Sequence, residues 1–201
     1  WCNGVMLNQD ASIDSFLMSQ GNIFYFLNNN TLTINNTQDA FLLGHHDVSD
    51  YATLALLYGT VVANRIDVAG GVGSHAALGI NGDMTLQLSD GLVIRNGGIL
   101  FGGGTVQGNV YNSGEIERDA LHNEYPIIIG DYSMVDESIV GLEGSGIYNN
   151  DLVPIDYDEA NGYSAMQISG TATLGGTIYI TGGGNTPVVA GQNITLLTAA
   201  G

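Results

Sequence analysis

Between Met166 and Ile180 the chain reads MQISGTATLGGTIYI. Every even position there is apolar or glycine, while the odd positions carry Gln167, Ser169, Thr171, Thr173, Gly175, Thr177 and Tyr179. A period of two held over this length specifies strands with one buried face. The same parity runs through 80–94 (INGDMTLQLSDGLVI) and 100–116 (LFGGGTVQGNVYNSGEI), broken by a polar residue only at Asp90 and Asn112. Leu32-Thr33-Ile34, Val62 with Ile66 and Val68, and Ile194 with Leu196 repeat it in shorter form. Turn signals stand between these pieces: Asn81-Gly82, Asp90-Gly91, Asn96-Gly97-Gly98, Ser113-Gly114, Asn161-Gly162 and Gly182-Gly183-Gly184.

Two all-β architectures accommodate such strands. A β-sandwich joins strands of five to six residues by loops and needs no self-similarity. A solenoid coils short strands so that each turn covers the one beneath, and its sequence repeats loosely at ~20 to 30 residues. Glycine at inward parity (Gly82, Gly104, Gly108, Gly170, Gly176) favours the coil, because a missing side chain lets a strand-like run bend round a corner. MTLQL at 84–88 and TVQGNV at 105–110 lie about one such repeat apart. The expectation is a parallel β-solenoid, with the sandwich as alternative.

Charge narrows the partners. Twenty acids face three bases (Arg65, Arg95 and Arg118, with no lysine), for a net charge of −17. Nucleic acid and anionic membrane are therefore excluded as partners, and the field suits a soluble secreted protein or one that meets divalent cations. No run reaches the ~18 consecutive apolar residues of a spanning helix, so no direct membrane insertion is expected. With Cys2 as the single cysteine there is no intrachain disulfide, and packing and hydrogen bonds must hold the fold.

The first third is less regular. SIDSFLMSQGNIFYFLNN mixes periods, and Tyr51 to Tyr58 fits a short helix or a fully buried strand. Residues 1–60 are read as an irregular or capping segment, since the terminal turns of solenoids are commonly atypical, and 61–201 as the solenoid. Twelve of the twenty acids lie between Glu115 and Glu159, and the alternation lapses over 144–162, which reads as a lateral acidic loop.

Four segments, in order, then resemble a known group: IRNGGILFGGGTVQGNVYNSGEI (94–116), IIIGDYSMVDESIVGLE (127–143), GYSAMQISGTATLGGTIYI (162–180) and GQNITLLTAAG (191–201). Together they are similar to the C-terminal passenger region of bacterial autotransporters and to surface proteins with autotransporter-associated β-strand repeats. The resemblance covers about the second half of the chain. It departs from the family where Glu115-Ile116-Glu117-Arg118-Asp119 replaces the usual proline-glycine turn. It implies a right-handed parallel β-helix displayed outside the cell, at a bacterial surface, acting as scaffold and carrying no catalytic residues or cofactor.

The expected function is that of an extracellular structural module of a surface passenger or self-assembling fibre. An adhesin or glycan-binding module is the alternative, and a polysaccharide-degrading β-helix enzyme stands behind that. The final strand-like run, Ile194-Thr195-Leu196-Leu197, is the expected assembly edge, because an unpaired strand recruits another copy or the rest of a longer chain. Tyr132, Tyr148 and Tyr157 are the candidate glycan contacts. Asp156, Asp158 and Glu159 are calcium candidates, although the fifth and sixth positions of that loop hold Ala160 and Asn161 where an oxygen ligand and glycine belong. His45-His46-Asp47 with Asp50 reads as a solvated loop. A lyase would need carboxylates such as Asp131, Asp136, Glu137 and Glu143 grouped beside a base, and bases are nearly absent there.

Overall fold

The computed structural model describes residues 3–37, 41–44, 51–69, 75–117, 124–134, 155–157, 166–175, 180–182 and 197–200. Among these residues the protein is all-β, with no helix long and apolar enough to cross a membrane. The strands are β1 (Asn3–Met6), β2 (Ala11–Ile13), β3 (Phe16–Met18), β4 (Gly21–Phe26), β5 (Thr31–Ile34), β6 (Phe41–Leu43), β7 (Tyr51–Leu57) and β8 (Gly59–Val68). They continue with β9 (His75–Ile80), β10 (Met84–Ile94), β11 (Gly98–Phe101), β12 (Thr105–Gln107), β13 (Val110–Asn112), β14 (Glu115–Glu117), β15 (Ile127–Ile129) and β16 (Tyr132–Met134). The last five are β17 (Ile155–Tyr157), β18 (Met166–Ile168), β19 (Ala172–Thr173), β20 (Ile180–Gly182) and β21 (Leu197–Ala199).

Successive strands alternate between two sheets. One runs β1-β4-β7-β9-β11-β14, and the other carries β2 and β3, β5 and β6, β8, β10, β12 and β13, β15 and β16, β18 and β19, and β21; β17 pairs β20 separately. Every pairing among the described residues is parallel. Parallel partners cannot be joined by a tight hairpin. Here the chain visits the other sheet before it returns. An antiparallel sandwich, the alternative expectation, is therefore not the fold.

The alternation seen in the sequence becomes columns of like residues. Ala11, Leu32, Val61, Leu86, Val106, Ile128 and Ile168 lie side by side on consecutive strands of the larger sheet. Ile23, Leu54, Leu78, Leu100 and Ile116 do the same in the smaller one. Both columns belong to one continuous apolar core reaching from Met18 to Ile168. Each fully buried aliphatic side chain in it contributes about 1.5–3 kcal/mol, and because neighbours come from sequence-distant strands, the core forms only when the strands stack in register.

The two parity breaks have separate causes. Between Leu88 and Gly91 the register against β8 shifts, so that β10 carries one more residue than its partner and Asp90 turns outward into solvent. Asn112 does point inward, in a column with Val68, Ile94 and Met134. It is fully buried, its Nδ2 donates to the Tyr132 hydroxyl at 3.0 Å, and its Oδ1 accepts from the Gly114 amide at 3.0 Å. A buried amide with both ends satisfied is tolerated.

The N-terminal third differs from the expectation of an irregular cap. Residues 3–57 supply seven strands, and β8 pairs back to β5 and β6, so no break in pairing falls near residue 60. The ambiguous run at 51–58 is a strand rather than a helix: Ala52, Leu54 and Leu56 are buried at alternate positions, and flanking partners on both sides supply the neighbours that decide the matter. Phe16 adds an edge-on contact to Tyr25 at 5.8 Å and a tilted one to Phe41 at 4.8 Å. Of the acidic segment 144–162, only Ile155–Tyr157 is described, and it forms β17.

Candidate functional site

Four local arrangements carry polar chemistry, and the first lies at a corner of the larger sheet. Gly108-Asn109, Gly130-Asp131 and Gly170-Thr171 join β12 to β13, β15 to β16 and β18 to β19. The Asn109 Oδ1 accepts from the Asp131 amide at 3.0 Å, and the Asp131 Oδ1 accepts from the Thr171 amide at 2.9 Å. Backbone bonds run alongside, from Gly108 N to Ile129 O at 3.0 Å and from Gly170 N to Gly130 O at 3.0 Å. The corner is thus a ladder built from the segments GTVQGNV, GDY and SGTATL. Asp131, weighed as a catalytic carboxylate, is engaged here as a hydrogen-bond acceptor to main chain. Asp136, Glu137 and Glu143 lie outside the described residues.

The second arrangement gathers two of the three bases onto one acid. Asp67 is 95% buried by side chain, its Oδ1 meeting Arg65 Nη2 at 2.8 Å and Arg95 Nη2 at 3.1 Å. Beside it on neighbouring strands lie Leu42 and Val93, both buried, so the carboxylate is covered although its odd position points away from the core columns. A buried charge persists only when paired, and the sequence spends its scarce arginines there. The third is an acid pair, Glu115 and Glu117 on β14. Partial burial pushes the Glu115 carboxyl above its usual range, with the Glu117 charge and their shared hydrogen bond adding to the shift.

The fourth is an open groove of about 560 Å³ on the outer side of β5, β8, β10 and β12. Half-buried Val62 adds an apolar side chain, while Ala63 and Leu88 beside it are buried in the core. Asn64 forms a fixed wall, with Nδ2 donating to the Thr37 carbonyl at 2.9 Å and Oδ1 accepting from the Ser89 hydroxyl at 2.5 Å. Gln87 and Gln107, directly adjacent across the β10–β12 ladder, are exposed. Neither amide has a side-chain partner among the described residues. Among the described residues no titratable side chain lines the groove.

The residues singled out by sequence fall out as follows. Leu197 opens β21, which pairs with β18 on one side and with no other described strand; Ile194, Thr195 and Leu196 lie outside the described residues. At the other end, β1 pairs with β4 and with no other described strand, and Val5, Met6 and Leu17 of the first strands are exposed. Tyr132 is a correction. It is fully buried between Val110 and Ala172, accepting from Asn112, and offers a glycan no surface. Its even number, shared with Val110, was the available signal. Tyr157 and Asp156 lie on β17, whereas Tyr148, Asp158, Glu159 and the His45–Asp50 cluster lie outside the described residues. Among the described residues no three His, Cys, Asp or Glu side chains gather as a metal site. Sequence reading missed the amide groove entirely, because its residues come from four strands and share no local motif.

The fold defines an all-β protein with parallel sheets. No protein family, curated protein or solved structure matches the chain.

Proposed function

We propose that the chain is a right-handed parallel β-helix module of an extracellular protein at a bacterial surface, with a structural, non-catalytic role. The observation that carries this reading is that every strand pairing among the described residues is parallel, with side-chain bonds recurring at sequence separations of 20 to 27 residues. Such recurrence is the signature of a chain that climbs by one coil at a time. Two further bonds span 39 and 40 residues, from Gly130 to Ser169 and from Thr171 to Asp131.

The resemblance to autotransporter passengers gains from the corner ladder, because three of the four segments that carry it stack on one another through Asn109, Asp131 and Thr171. The structural role is read from the outermost strands: among the described residues β1, β2 and β3 each have a partner strand on one side only, and so does β21. Open edges pair with a second copy or with flanking polypeptide, and head-to-tail pairing of unlike ends builds an open filament. Calcium is not required by this reading.

Two measurements test it. Antibody raised against the chain should label intact cells of the source organism, and labelling only after lysis contradicts the surface assignment. Negative-stain electron microscopy of concentrated protein should show end-to-end particles, whereas globular monomers at every concentration contradict self-assembly.

A further inference from the structure

We infer that the groove over β5, β8, β10 and β12 is a binding subsite for a neutral polysaccharide chain. The ligand class follows from what the groove offers and lacks. Its polar groups are carboxamides and hydroxyls, including Asn64, Gln87, Ser89 and Gln107, which both donate and accept, and they lie beside aliphatic surface from Val62. A sugar ring presents the same combination of hydroxyls and C–H faces. Among the described residues no titratable side chain lines the groove, and the net charge of −17 on the molecule repels polyanions.

Register supplies the second reason. Gln87 and Gln107 sit on adjacent parallel strands, about 4.8 Å apart, close to the advance of one hexose in an extended glycan. Neither side chain is engaged by the described protein, while Asn64 opposite them is held by Thr37 and Ser89 and therefore preorganised. A peptide strand fits poorly, because the groove lies on a sheet face whose main-chain groups are already committed to the ladders on either side. This site is distinct from the tyrosines considered from sequence, and it would operate whether or not the chain assembles end to end.

The test is side-chain NMR of uniformly labelled protein titrated with cellohexaose, maltohexaose, laminarihexaose, mannohexaose and, as acidic comparator, hexagalacturonate. At least one neutral hexamer should move the Gln87 and Gln107 carboxamide signals at about 1 mM ligand, with an affinity unchanged between low and high salt. The double variant Gln87→Ala, Gln107→Ala should keep its melting temperature and lose affinity about tenfold. A second variant, Gln107→Glu, should fold equally well and weaken binding through the introduced charge. Silence from every neutral hexamer, binding unaltered in the double variant, or preference for hexagalacturonate overturns the proposal.

Discussion

Asp67 shows how a composition that looks uniformly acidic is organised residue by residue. Both guanidinium partners converge on one oxygen, and the carboxylate has almost no access to water. Asp67→Asn keeps the shape and removes the charge, leaving two arginines facing one another. The expected loss is about 3–5 kcal/mol, measured by urea denaturation, and a loss below about 1 kcal/mol would place the cluster among surface pairs of little consequence. Glu115 gives the opposite case. Its proton is held more tightly in the folded chain than in the unfolded one, so its contribution is fully present below the ordinary glutamate range and is lost as pH rises through the raised value. Glu115→Gln should therefore raise the melting temperature at pH 7, with the gain disappearing near pH 4. An equal gain at both pH values would mean that the cost of the partly buried charge, raised further by Glu117, is not the cause. At this scale parity was a guide with exceptions: on β8 it is Val61, not Val62, that joins the core column, and Leu174 is exposed despite its even position. Tyr132 and Asn112 both have inward numbers and both are buried, yet tyrosine suggested a ligand contact and asparagine a break in the parity, since which polar side chains find each other inside is a matter of three-dimensional neighbours.

Among the elements, the corner of Gly108, Gly130 and Gly170 is where sequence and structure agree most closely. Gly108 has φ of 144°, and a Cβ placed there would stand 2.5 Å from the Leu88 carbonyl oxygen. Neither the conformation nor the space admits a side chain. Gly108→Ala should cost about 3 kcal/mol through backbone strain and displacement of the neighbouring strand, read as a shift in denaturation midpoint, whereas a variant as stable as the parent would show that the corner is loose. The strand identity of 51–57 was not legible in the same way. Tyr-Ala-Thr-Leu-Ala-Leu-Leu is rich in good helix formers, and only the partners Ile23 and Leu78, lying on either side of Leu54, turn the run into a strand. Loop lengths were equally hidden. Side-chain bonds at separations of 20 and of 40 residues link neighbouring strands of the same sheet, so no fixed period marks the parallel pairing.

For the molecule as a whole, the terms to balance are the continuous apolar core and the field of seventeen uncompensated negative charges. Self-repulsion of that kind weakens the compact state and is screened by salt, whose Debye length falls from about 30 Å at 0.01 M to about 10 Å at 0.1 M. The melting temperature should therefore rise between those concentrations, and end-to-end association should become easier with it; a flat or falling curve would mean that the acids lie too far apart to interact. The claim on which the rest depends is that sequence-distant segments lie side by side, in parallel, with Leu86 flanked by Val61 on one strand and Val106 on the other. Backbone NOE spectroscopy on labelled protein tests it directly. The account predicts amide-to-Hα contacts from the Leu86 region to both the Val61 and Val106 segments in the evenly spaced parallel pattern. Short Hα–Hα contacts between neighbouring strands, which arise where antiparallel chains bring their Cα atoms to about 4.5 Å, would contradict it.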